Sequence, residues 1–499
     1  MTGVSPARMI SRDAPVAVVD IGSNSVRLVI YDTLSRAPFP RFNEKSLCGL
    51  GSELDTTGRL PEAGIVACVN AVHRYCVIAR AMQAERIDLL ATEAVRRADN
   101  AGELVDAIRA RTGREVRIVE GGEEAQLSAQ GVAAGFHRPS GIVGDLGGGS
   151  LELSSVSEGR VGSGAISLPI GALRVLPLMA SDERAAKKHL DEIFANRPWV
   201  ARDVERFFVV GGGWRALARI HVATVEAPLR VVHGLELDRD AARSLARSIL
   251  RTAPDQVSAL PGVPSRRAAT VRAAALVLDR LLKAMAPERI VFSALGLREG
   301  WLHRCLPADE RELDPLLVGA ATFGRPRARV PHIGEAMVHW TAPLFPGETE
   351  REQRLRIAAC ELSDIGWRDH AELRAQQSFH RLSQFPFVAL DHAERVFIAL
   401  AVHRRYGGND GEPGLAAAAA LLDPALRQRA GVLGCAMRLG YRFSGSVPEL
   451  LAQARMEVVD ERVLLRLSTD EDVPDSEPVR SRLKDLAKAL GMKGSDIVR

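Results

Sequence analysis

Two β-branched runs, Val16–Val19 and Val26–Ile30, are separated by Gly22-Ser23-Asn24-Ser25, which predicts two strands joined by a tight turn. Helical and strand periods then alternate. Residues 61–84 predict a helix and Ile87–Ala91 a buried strand. Glu103–Arg111 predicts a short helix with Leu104 and Ile108 on one face, Val116–Val119 a strand, and about Glu123–Ala133 another helix. The pattern restarts near Gly141. Ile142–Val156 repeats the hairpin, Phe207–Val210 predicts a strand running into Gly211-Gly212-Gly213-Trp214, and Arg266–Ala286 predicts a long helix. Ile290–Phe292 predicts a last strand before GLREGWL. This alternation predicts an α/β fold in two related lobes, residues 1–135 and 136–307. After about Pro307 the strand signals fade, and Arg, Ala, Leu and His recur at helical spacing, predicting an all-α domain over 308–450. Ala416–Ala420, flanked by Leu415, Leu421 and Leu422, reads as helix. Residues 451–499 predict a small unit with a strand at Arg462–Leu467 and a helix at Arg480–Leu490.

Composition narrows this little. At 499 residues the chain is too long for one ordinary core, and 46% hydrophobic with 26% charged residues reads as globular. The net charge of +4 is weak evidence for any polyanionic partner. Six cysteines form no C-x-x-C pair, so reduced thiols are expected. The N-terminus shows no secretory h-region and no apolar run is long enough for a bilayer, so the expected compartment is the cytoplasm, with no membrane and no nucleic-acid partner.

The candidate chemistry sits in the two turns. Each follows a strand ending in an acid, Asp20 in the first copy and Asp145 in the second. The first turn carries Gly22, Ser23 and Asn24; the second carries Gly147, Gly148, Gly149 and Ser150. Consecutive backbone N–H groups in such turns bind phosphate oxygens, and glycine lets the ligand approach. Asp20 and Asp145 would converge across a two-lobed cleft, offering oxygen ligands of the kind Mg²⁺ takes together with phosphate oxygens and water. Glu152, on the strand after the second turn, is a third acid. In VEGGEEAQLSAQGV two glutamates open a helix, where the macrodipole favours acids; neighbouring helix positions diverge by about 100°, so only one of Glu123 and Glu124 can face a cleft. A carboxylate beside a bound phosphate can act as a general base toward water. In ATEAVRRA, Arg96 offers a guanidinium fork for a phosphate oxygen.

Taken together, DIGSNSVRLVIYD, ATEAVR, EGGEEAQLSAQGV, DLGGGSLEL and FSALGLREGWL resemble, in order, the motifs of the exopolyphosphatase/guanosine pentaphosphate phosphohydrolase family. The resemblance covers residues 16–305 specifically and the helical region less so. It implies the actin-like ATPase fold, two ribonuclease-H-like lobes around a phosphate cleft, followed by an HD-like helical domain. It also implies roles. Glu124 matches the general base that activates water. Asp145 and Glu152 match acids that help bind Mg²⁺ or orient water, and Asp20, the acid of the first phosphate motif, is expected with them at the Mg²⁺ site. Gly22, Ser23, Asn24, Arg96 and Gly147 to Ser150 match phosphate-binding positions. A homodimer is implied by the resemblance alone, and the need for a monovalent cation such as K⁺ stays open. The chain departs from the pattern where an HD metal motif needs His before Asp: it has Ser363-Asp364, with His370, His380 and His392 nearby, and a degenerate HD-like fold without the metal centre is expected.

The implied reaction is hydrolysis of the terminal phosphoanhydride of inorganic polyphosphate. Arg354, Arg356, Arg368, Arg374, Arg381, Arg404, Arg405, Arg427 and Arg429 could line a channel for the polymer or form an ion-paired helical surface. Three other readings stay open. The first is hydrolysis of guanosine pentaphosphate to the tetraphosphate. The second is an actin-like kinase using Gly211-Gly212-Gly213-Trp214 in an adenosine pocket. The third is a non-catalytic polyphosphate or nucleotide sensor.

Overall fold

The computed structural model describes residues 14–195, 204–264, 267–409, 411–412, 414–468 and 476–499. They form two bodies, one running to residue 313 and one comprising 314–499 with Pro228–Val231.

In the first body, β1 (Val16–Ile21) and β2 (Ser25–Tyr31) form an antiparallel hairpin extended by β3 (Pro40–Leu47). β4 (Arg86–Ala91) and β5 (Val116–Ile118) add in parallel beside β1, giving the order β3-β2-β1-β4-β5. The second lobe repeats the plan. β6 (Gly141–Leu146), β7 (Leu151–Ser157) and β8 (Arg160–Leu168) form the antiparallel ribbon. β9 (Arg206–Val210) runs parallel to β6, β10 (Glu236–Asp238) closes the edge, and β11 (Arg289–Phe292) runs parallel to β9. The order is β10-β11-β9-β6-β7-β8.

Strand alternation explains the layering. Ala17, Val19 and Ile21 of β1 face one apolar cluster, and Val16 and Val18 face another. A sheet buried on both faces needs helices on both sides. The helices of the first lobe are α1 (Leu54–Thr57), α2 (Glu62–Ala81), α3 (Glu93–Arg97), α4 (Ala101–Thr112) and α5 (Gly121–Gly135). Those that follow are α6 (Ala172–Ser181), α7 (Glu183–Ala195), α8 (Gly212–Thr224), α9 (Arg239–Arg251), α10 (Ala268–Met285) and α11 (Leu297–Cys305). Contrary to expectation, α2 is long and apolar enough by length and composition to cross a membrane, with mean hydropathy 1.2. Here it presents Cys68, Val72, Tyr75, Cys76 and Ala79 to the core of the first lobe.

One helix crossing positions the site. A methyl on Gly131 of α5 would stand 2.2 Å from the Gly296 carbonyl oxygen, and one on Gly300 of α11 would stand 1.8 Å from that of Leu127. Only glycine permits this approach. Motif glycines in EGGEEAQLSAQGV and GLREGWL therefore lock two site-bearing helices together.

The second body is helical from Pro315 to Leu451 and ends in a three-stranded sheet. In it β12 (Ala454–Val459), β13 (Arg462–Leu467) and β14 (Gly494–Val498) flank a helix at Glu477–Ala489. The alanine run forms a short helix, Leu415–Ala419. At the HD position, Ser363 Oγ donates to the Cys360 carbonyl at 2.6 Å and meets Tyr441 Oη at 2.7 Å. Asp364 is buried, and each of its oxygens already accepts two hydrogen bonds from Arg329 or Arg405, at 2.7–3.1 Å. His370 and His380 are exposed, while His392 is partly buried with Nε2 2.9 Å from the Val231 carbonyl oxygen. Several arginines weighed as a polymer channel are committed elsewhere. Arg354 pairs with Asp314, Arg356 and Arg429 with Glu348, Arg381 with Asp369 and Arg405 with Asp364. Arg354, Arg356 and Arg405 are also buried, so these three are ion-paired in the interior and belong neither to an open channel nor to a solvated surface.

Candidate functional site

The two hairpins match position for position. In the first, Gly22 N–H donates to the Ser25 carbonyl at 3.1 Å; in the second, Gly147 N–H donates to that of Ser150 at 2.9 Å. The acid before each turn pairs in register with one residue beyond it, Asp20 with Arg27 and Asp145 with Glu152. Directly opposed residues of an antiparallel pair point to the same face, so each hairpin projects two charged groups toward one place. That place is a cleft of about 190 Å³.

Of the residues expected at the site, Asp20, Gly22, Ser23, Asn24, Glu124, Asp145, Gly147, Gly148, Gly149, Ser150 and Glu152 line this cleft. Arg96 is placed differently. Its guanidinium is turned onto the protein, with Nη1 donating to the Val119 carbonyl at 2.5 Å and to Glu124 Oε2 at 3.0 Å. It therefore holds Glu124.

Helix α5 begins two residues earlier than its sequence pattern predicts, with Gly121 and Gly122 inside the first turn and Glu120 as N-cap. The divergence of adjacent helix positions then separates the glutamates. Glu123 turns outward to Arg117 (2.8 Å) and Arg304 (2.7 Å), whereas Glu124 is buried and faces the cleft. One turn on, the same face presents Ser128, whose Oγ donates to Asp145 Oδ2 at 2.5 Å. Ser167 Oγ donates to Glu152 Oε1 at 2.8 Å.

Sequence reasoning passed over the positive groups of the cleft. Arg27, Lys45, Arg215, Arg267 and Arg298 line it, along with Glu93, Thr92 and Thr270. Arg27 was findable as the register partner of Asp20, and Arg298 lies inside the quoted FSALGLREGWL. Arg298 Nη1 is 3.6 Å from Asp20 Oδ2. Its neighbour Glu299 accepts from Tyr31 Oη at 2.5 Å and from Gly296 N–H at 2.9 Å, so α11 is tied to β2. The cleft is thus lined by five acids (Asp20, Glu93, Glu124, Asp145, Glu152) and five cationic side chains.

Burial dominates the electrostatics. It pushes the Glu124 carboxyl up to about 8; the hydrogen bond and charge of Arg96 oppose this, and Asp145 and Asp20 add to it. Glu152 is raised well above the usual range by burial and by Glu124. Asp145 and Asp20 are raised by burial, against Ser128 and Arg298 respectively. Burial also lowers Arg215 to about 10, with Arg298 adding to the effect.

Carboxyls raised in the fold stabilise it below their unfolded values and lose that contribution as pH rises through the folded ones. Above pH 7 the buried His303 no longer offsets this, since it is neutral in the fold above about 3 and its unfolded imidazole is neutral as well once pH exceeds the ordinary value of about 6.5. Without divalent cation, the melting temperature of the first body is expected to fall between pH 7.0 and 8.5. Glu152→Gln should reduce this fall and raise the melting temperature at pH 8.5, at about 2–4 °C per kcal/mol. Differential scanning calorimetry reads both; a flat profile in the wild-type protein contradicts the raised carboxyls.

The donor set is oxygen-only. Among the described residues no three His, Cys, Asp or Glu side chains are preassembled as a metal cluster. An ion of the Mg²⁺ type needs only one or two carboxylates, with phosphate and water supplying the rest.

Residues 29–309 match the model of the Ppx/GppA phosphatase family. The chain belongs to that family. Residues 316–497 match the exopolyphosphatase C-terminal domain. Exopolyphosphatase 1 of Mycobacterium tuberculosis is 27% identical over 312 residues, covering 59% of this chain and 89% of the relative. Retrograde regulation protein 2 of Saccharomyces cerevisiae is 27% identical over 437 residues, covering 79% and 72%. Among solved structures, the Aquifex aeolicus Ppx/GppA family member aligns with TM-score 0.51 at 26% identity, over 58% of this chain and 96% of that one. An exopolyphosphatase from Cytophaga hutchinsonii, at TM-score 0.53 and 22% identity over 58% and 97%, shares the fold. The actin-like architecture and the mostly helical C-terminal region thus agree with the resemblance read from the motifs.

Proposed function

We propose that this Ppx/GppA protein is an exopolyphosphatase that hydrolyses the terminal phosphoanhydride of inorganic polyphosphate and releases orthophosphate. The observation that carries this reading is Glu124. It is a buried carboxylate held by Arg96 in the cleft that both phosphate turns line. The turns from Gly22 to Asn24 and Gly147 to Ser150 offer N–H donors to the terminal phosphate, and Arg27, Lys45, Arg215, Arg267 and Arg298 take the charge of the following phosphates. Glu124 orients a water for in-line attack and accepts its proton at a carboxylate oxygen.

A cleft meant for a polyanion alone would be basic throughout. Five carboxylates facing a phosphate site are consistent with a cation between them, and Asp145, Glu152 and Asp20 are the residues that would hold Mg²⁺. When bound, Mg²⁺ would neutralise charge on the phosphate oxygens and on these acids, easing the ionisation of Glu124.

A second reading, a non-catalytic polyphosphate or alarmone sensor, draws support from the yeast relative, which bears the name of a regulation protein. The test is phosphate release from long-chain polyphosphate and guanosine pentaphosphate, measured in parallel with Mg²⁺. Faster release from polyphosphate is expected. Preference for the nucleotide moves the substrate assignment, and tight binding with no release of phosphate from either supports the sensor.

A further inference from the structure

The two phosphate turns come from different lobes, yet both meet one carboxylate that the proposed chemistry leaves unused. Glu93, at the start of α3, is buried and lines the cleft. Its Oε2 accepts from Ser23 Oγ of the first turn at 3.2 Å. On the second turn, a methyl on Gly149 would stand 2.1 Å from Glu93 Oε2 and 2.5 Å from its carboxyl carbon, and the nearest atoms there all belong to this carboxyl group. Gly149 is not among the residues with positive φ, so what it lacks is space for a side chain. Gly148 also faces Ser23, less tightly, with a methyl there 3.2 Å from Ser23 Cβ and from Leu173 Cδ1.

Glu93 is itself held. Its Oε1 accepts from Arg97 Nη1 at 2.8 Å and lies 3.2 Å from Arg174 Nη2. Arg174 belongs to α6 of the second lobe, and it also pairs with Asp55 of α1 in the first, at 2.7 Å. Arg97 completes the ring by donating to the same Asp55 at 2.9 Å. A buried acid in a polyanion cleft repels the ligand unless its charge is matched; here two guanidiniums match it, and the carboxylate touches both turns.

We infer that Glu93 is a positioning residue that sets the spacing of the two phosphate turns, with Arg174 and Asp55 as its latch between the lobes. This rests on the reading of the cleft as a phosphoanhydride site. A terminal phosphate gripped by both turns is in line with the water on Glu124 only when the turns keep their separation. A misplacement of about 1 Å costs on the order of 100-fold in rate.

The test is a double-mutant cycle on the full chain. Glu93→Ala is expected to lower kcat on long-chain polyphosphate by about 10- to 100-fold with KM changed by less than about threefold. Gly149→Ala displaces the Glu93 carboxylate from its partners, so it should reproduce that loss. The double variant should then be no slower than Glu93→Ala alone, whereas independent roles would multiply. Arg174→Ala should give a smaller loss, also in kcat, and carries the test where Glu93→Ala does not fold. Unchanged kcat in Glu93→Ala and Arg174→Ala, or multiplicative losses, overturn the latch. If the wild-type protein releases no phosphate at all, the functional reading fails by itself. The same cycle read by melting temperature then decides the latch: non-additive losses support it and additive ones overturn it.

Discussion

Glu124→Gln is expected to lower phosphate release from polyphosphate by on the order of 10²- to 10⁴-fold, the usual contribution of general-base catalysis, while polyphosphate binding persists. The amide keeps the size and one acceptor oxygen of the carboxylate, so Arg96, 3.0 Å from Glu124 Oε2, still has a partner. What is lost is the ability to take a proton from water. The pH profile adds an independent check. Burial pushes Glu124 up to about 8 in the free cleft, and a base works only when ionised. The rate should therefore rise with pH and level off above that value, and the rising limb should move to lower pH when a cation screens Asp145 and Asp20. Initial rates across pH, with binding measured by isothermal titration, check both. Near-normal turnover in Glu124→Gln removes the assigned base, and a profile falling with pH contradicts its sign.

The second large effect lies in the other body. Asp364→Ala is expected to destabilise it by about 3–5 kcal/mol, the cost of breaking a buried ion pair by deleting one partner. This corresponds to a fall in melting temperature on the order of 10 °C. The reason is the bonding already in place. Asp364 answers Arg405, which is buried, and three donors of Arg329, including its backbone N–H. Removing the carboxylate leaves the Arg405 guanidinium beside the rings of Tyr406 and Tyr441 without its counter-charge. A metal centre at the same place would instead reveal itself as a loss of melting temperature on chelation, with Asp364→Ala insensitive to the chelator. Calorimetry with and without EDTA separates the two outcomes.

The hairpins were legible because β-branched runs flank short small-residue turns, a signal that needs no knowledge of the rest of the fold. The same holds for α2, α4 and α10, whose apolar periods are sustained. Edge strands were not legible. β3 reads PRFNEKSL and has no fully buried residue, while β8 reads RVGSGAISL with only Leu168 fully buried; a strand held mainly by backbone pairing leaves little alternation to see. The split between Glu123 and Glu124 was readable in principle from helix geometry, but which one faces the cleft depends on how α5 crosses α11 at Gly131 and Gly300. Arg96 illustrates the opposite limit. Its type suits a phosphate, yet its direction is set by the carbonyl of Val119 and by Glu124, residues distant in sequence. Arg27, Ser128 and Glu93 acquire their places only through strand register, the α5 face and the meeting of two turns.

The most direct test of the central claim is hydrolysis of long-chain polyphosphate in ¹⁸O-enriched water with Mg²⁺. Water attacking the terminal phosphorus predicts that the first orthophosphate released carries one solvent oxygen, with a long chain and orthophosphate as the only early products. Orthophosphate without solvent oxygen, mid-length fragments, or phosphate appearing on an added acceptor would contradict a cleft in which Glu124 activates water at the chain end.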